Sequence, residues 1–128
     1  MQLIFCLWIA FAVPHGDVHE QINVLTTSIQ QFPDSTSLYL DRGELYLLDE
    51  NIASAKSDFS TCLLSGLINA RVYVGLSQCM ESLGFQDSAL YYVGLALDQD
   101  RSNPPSLALK GSLLLTTQRY CESLEIYS

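Results

Sequence analysis

The sequence predicts an all-α fold, an antiparallel helix-pair array of the α-solenoid kind. Three observations point there. Leu, Ala and Ser recur at helical spacing, while alternating Val/Ile/Thr runs are scarce. The chain has 128 residues, 48% of them apolar, enough to bury the core of one small domain. Residue types also return with a period of 34 (43 to 77 to 111). Gly43, Ser77 and Gly111 form one small-residue column, and Ala55, Ala89 and Ser123 a second. Phe59, Val93 and Tyr127 form a large apolar column. Tyr39, Tyr73 and Leu107 form another, as do Tyr46, Met80 and Leu114. Cys62 and Ala96 share a small column, and Gly16, Glu50, Gly84 and Gln118 fall where each unit should turn.

The elements follow in order. Leu3 to Val13, "LIFCLWIAFAV", is apolar on every side but shorter than the ~20 residues that span a bilayer. It reads as the apolar part of a signal peptide over 1–12, with a cleavage site at Ala10–Ala12, although no Lys or Arg precedes it. Residues 13–34 form an N-terminal half-repeat, a capping helix with Gly16 as its turn, Asp17 as its N-cap and Pro33 as its stop. Three units fill 35–128. Their first helices span about Thr36–Leu48, Ala70–Leu83 and Pro104–Thr117; their second helices span about Ile52–Ser65, Gln86–Asp98 and Tyr120 onward. "DSTS" before Leu38 and Asn69 before Ala70 supply N-cap oxygens, and Pro104 and Pro105 sit in a first turn, where a missing N–H costs little. The last second helix covers only about nine residues, so its unit is truncated and the natural chain is expected to continue past Ser128.

These columns resemble the tetratricopeptide repeat (TPR) family. The carrying segments are "YLDRGELYLLDENIASAKSDFSTCL", "YVGLSQCMESLGFQDSALYYVGLAL" and "LALKGSLLLTTQRYCESLEIY". Tyr39, Gly43, Tyr46, Ala55 and Phe59 match the family pattern in the first unit; Tyr73, Leu76, Ser77, Gly84, Ala89 and Ala96 match it in the second. Arg42 departs from it, standing where leucine is common, as do Cys62 (for alanine) and Leu67 and Arg101 (for a closing proline). The resemblance implies that the small residue at Gly43 lets paired helices approach closely against the Ala55 column. It also implies a concave partner-binding groove lined by the first helices. In that register the outward positions are Leu40, Glu44, Leu47 and Leu48, then Val74, Gln78, Glu81 and Ser82, then Ala108, Ser112, Leu115 and Thr116. Such a groove is apolar and acidic. It lacks the lysines and asparagines of a carboxylate clamp, and suits a peptide with apolar anchors and basic flanks. Leu47 and Leu48 are equally suited to packing on neighbouring helices.

Charge and chemistry narrow the function. Fourteen acids against six bases give −8, which argues against nucleic acid and against anionic membrane surfaces, both of which select a basic face. "HGDVHE" gathers His15, Asp17, His19 and Glu20, a weak metal candidate, since Asp17 already serves as a cap. Cys62, Cys79 and Cys121 match no metal spacing, and Cys62–Cys79 is the pair to test for a disulfide. No nucleophile–base set or phosphate loop occurs, so neither catalysis nor a cofactor is expected. The expected protein is therefore a small exported scaffold, periplasmic or secreted and of bacterial type by resemblance. It would bind a protein or peptide partner and would not insert in a membrane once its leader is removed. Two alternatives stay open: the N-terminal repeat part of a longer protein, and a metal-handling exported protein using His15 and His19.

Overall fold

The computed structural model describes residues 17–127, and within them the side chains of Ser123, Ile126 and Tyr127 lie outside the description. The signal-peptide reading, Gly16 and His15 fall outside the described residues. Those residues form six helices and no strand: α1 (Val18–Gln31), α2 (Thr36–Leu48), α3 (Ile52–Leu64), α4 (Ala70–Ser82), α5 (Gln86–Gln99) and α6 (Pro104–Tyr127). Each helix packs on the next, and α2 also touches α4, as α4 touches α6.

The helix ends are chemically specified. Asn51 and Asn69 cap α3 and α4 by accepting the N–H of Ser54 and Val72. Asn103 takes the same role for α6, accepting from the Ser106 N–H at 3.0 Å and its hydroxyl at 2.6 Å. Asp17 stands at the N-cap position of α1, yet its side chain makes no capping bond. Three helices close through a left-handed residue: Glu50 (φ 58°), Gly66 (φ 84°) and Gly84 (φ 83°). In each case the following N–H reaches back to the last turn: Asn51 to the Tyr46 carbonyl, Leu67 to Cys62, Phe85 to Met80. Proline at position 67 has no N–H for that bond, which explains why a leucine closes the first unit.

The core centres on Phe59, fully buried on α3. Its ring lies close to two glycines on different helices. A Cβ at Gly43 of α2 would meet it at 2.9 Å, and one at Gly75 of α4 would come closer still. Gly43 thus admits an aromatic ring, with Ala55 buried one turn away. In the next unit the small pair is bonded as well as packed: the buried Ser77 hydroxyl donates to the Ala89 carbonyl at 2.6 Å. Cys62 and Cys79 are buried free thiols, both pushed up to about 11 by burial.

Arg42, the departure from the expected pattern, ties three helices. Its Nε and Nη2 donate to both carboxylate oxygens of buried Asp58 on α3 (2.8 and 2.7 Å), and Nη1 donates to Thr26 of α1 at 3.2 Å. The rings of Tyr39 and Tyr46 lie 5.7 and 5.6 Å from the guanidinium carbon. The bidentate bond to Asp58 raises the guanidinium pKa above its ordinary value.

One expected element is corrected. The turn placed at Gln118 does not form, and α6 runs unbroken through it as a 24-residue helix. The earlier turns pair a left-handed residue with a cap or a glycine, namely Glu50 with Asn51, and Gly84. Gln118 has neither beside it, and its amide spans the site by donating to Glu122 at 3.0 Å, one helical turn on. Gly111 consequently has nothing within 4 Å of where a Cβ would be. It is no packing site, and Leu107 and Leu114 of the same face are half exposed.

Candidate protein-binding groove

Helices α1, α2 and α4, with the start of α6, carry three adjoining recesses, and Glu44 lines all three. The recess between α1 and α2 has a volume of about 600 Å³. It is lined by the apolar Val24, Leu25, Leu45 and Leu48 and by the acidic Asp17, Glu20, Asp41 and Glu44. The second, about 580 Å³, lies between α2 and α4 and is lined by Leu47, Leu48, Gln78 and Glu81 among others. A smaller hollow of about 120 Å³ joins Glu44, Arg71, Val74 and Gly75 to Pro105 at the start of α6.

Most of the expected groove positions meet here. Glu44, Leu47, Leu48, Val74, Gln78 and Glu81 all line one or more of these recesses. Leu48 is 72% exposed, whereas Leu47 is half buried against the core. Leu40 is corrected: at 2% exposure it belongs to the core, because its side of α2 faces the helices beneath. Ala108 and Ser112 are exposed on α6 and line none of the three recesses. Tyr39, Tyr46 and Tyr73 are half buried, the first two beside Arg42 and Tyr73 stacked on Tyr92 at 6.5 Å. Tyr127 is in α6, its side chain undescribed.

Charge is unevenly settled across this surface. On the α4 side Arg71 donates to both Glu44 carboxylate oxygens, at 3.0 and 2.7 Å, and to Asp41 at 3.1 Å. On the α1 side Asp17 and Glu20 lie against each other, and a hydrogen bond and repulsion from Asp17 raise the Glu20 pKa above its ordinary value. Among the described residues no cation pairs with either of them. Of the weak metal candidate, His15 lies outside the described residues; His19 Nε2 lies 3.3 Å from Asp49, which follows α2, and among the described residues no group of three metal-capable side chains forms.

Sequence reasoning missed the α1 half of this surface: Glu20, Gln21, Val24 and Leu25. The signal was present in the amphipathic pattern of α1, whose Ile22 and Ile29 are buried while Val24 stays 59% exposed. Arg71 was missed because a single arginine at a helix start carries no sequence mark of its partners. No protein-family model matches the chain, and neither does any curated protein. No described helix is long and apolar enough to cross a membrane.

Proposed function

We propose that this chain is a tetratricopeptide-type helix-pair module that binds a segment of a partner protein along the surface of α1, α2 and α4. The observation that carries this reading is the convergence of three recesses on Glu44, lined by exposed apolar side chains at Leu48 and Val24 and by carboxylates beside them. Large apolar side chains set in a rimmed groove mark interaction surfaces in soluble proteins. A few such anchors, more than total area, set affinity. The reading is non-enzymatic and needs no cofactor, and export by the apolar leader is part of it. Capture of partners from the native envelope fraction by the wild-type chain and by Leu48→Glu and Val74→Glu tests it. Loss of the same partner in both variants is the expected result, and an unchanged set of partners refutes the groove.

A second reading treats the chain as the repeat part of a longer protein. The half-exposed leucines of α6, Leu107, Leu114 and Leu115, favour it, since a further helix would cover them. Sequencing the natural transcript beyond the Ser128 codon distinguishes the two.

A further inference from the structure

We infer that the occupant of the α1–α2 recess is a cationic amphipathic segment of a partner protein, with apolar side chains on Val24 and Leu48 and Lys or Arg over Asp17 and Glu20. This rests on the groove reading above and specifies the chemistry of its ligand. The exposure of the apolar lining and the pairing of two carboxylates beside it are separate observations that point the same way. Val24 and Leu48 are 59% and 72% exposed, too open to be core and set in one recess. Asp17 and Glu20 stand together on that recess without a described cation, and their mutual repulsion is relieved by any cation that arrives.

The surface already holds an internal example of such a contact. Asp41 and Glu44 accept a guanidinium from Arg71, bidentate at Glu44, in the geometry an incoming arginine would use. Arg71 therefore fills the acidic seat on the α4 side, while the α1 side holds no cation among the described residues. Charge complementarity of this kind selects the partner and speeds its approach.

Three fluorescently labelled amphipathic peptides test the inference, with matched leucines and with Lys, Gln or Glu on the polar face. Anisotropy titration of the full chain should show the Leu/Lys peptide binding best, with affinity falling as salt rises. Asp17→Asn with Glu20→Gln should weaken it about tenfold, while the charge-matched pair Asp34→Asn with Asp98→Asn changes it less than about twofold. Leu48→Glu should also weaken it about tenfold, although it adds negative charge. A Leu/Lys peptide that bound Leu48→Glu more tightly would reveal unspecific attraction and overturn the proposal. Arg71→Ala should strengthen binding more than Arg101→Ala does, and equality of the two refutes the filled seat. Equal binding of the Lys and Gln peptides refutes the cationic partner but leaves the groove; failure of all three peptides refutes both.

Discussion

Gly43 and Gly111 lie two 34-residue steps apart in the sequence and meet opposite surroundings. Gly43 lies against the ring of Phe59, which Gly75 of another helix also approaches. Gly111 faces open space, because α6 runs straight on where α2 and α4 are each followed by a turn and a returning helix. A glycine inside a helix costs about 1 kcal/mol relative to alanine. At Gly43 the close approach of a buried aromatic offsets that cost. At Gly111 nothing described does. The small residue is thus useful only where a helix folds back, and the fold-back depends on turn chemistry several residues away.

This contrast between the packed pairs and α6 can be broken by experiment. The largest effect concerns thiol access. Cys62 and Cys79 are buried, and Cys121 on α6 is exposed. Alkylation at neutral pH, mapped by mass spectrometry, should modify Cys121 at least ~100-fold faster, the other two reacting only through opening of the core. Next comes the Arg42–Asp58 pair: Arg42→Ala strands a buried carboxylate and should cost about 3–5 kcal/mol in denaturant unfolding. A comparable loss, about 3–5 kcal/mol, is expected from Phe59→Ala, whereas Leu114→Ala on the open face should cost under about 0.5 kcal/mol.

The glycines sharpen the comparison directly. Gly75→Ala and Gly43→Ala press a methyl on the Phe59 ring and should each cost about 1–3 kcal/mol, with Gly75 the worse. Gly111→Ala should be neutral or gain up to about 1 kcal/mol in thermal unfolding. A loss there as large as at Gly43 would mean that α6 does pack a helix on that face. Glu50→Gly removes the left-handed strain of a residue with φ 58° and should gain about 0.5–1 kcal/mol.

The smallest effect is electrostatic. Glu20 has a raised folded pKa, so its contribution to stability is full below the ordinary value of 4.5 and is lost as pH rises through the folded value. Acidification through that window should therefore favour folding slightly at this residue, against the general trend for carboxylates. Carboxylate NMR titration checks it, and Asp17→Asn should return Glu20 towards 4.5.

Helix positions were legible from local signals. The expected Thr36–Leu48 matches α2 end to end, and the expected Ile52–Ser65, Ala70–Leu83 and Gln86–Asp98 differ from α3, α4 and α5 by one residue. Asparagine caps and the left-handed residues at 50 and 84 act within a few residues, so the chain announces them locally. The break at Gln118 was misread because periodicity alone placed it, with neither glycine nor cap to make it. Leu40 was misread because an outward face assigned from repeat phase ignores which neighbours lie beneath.

By itself the sequence determined the helices, their phase, the acidic balance and the small residues that paired helices require, since these follow from spacing and short-range bonds. Only the tertiary structure decided which glycines lie against Phe59, that Arg42 joins α1 to α3, and that Arg71 closes one acidic seat while Asp17 and Glu20 meet no cation among the described residues. Those outcomes depend on side chains far apart in the chain, such as Arg71 and Asp41, 30 residues from each other. Their meeting is set by how the helices stack, which no local pattern encodes.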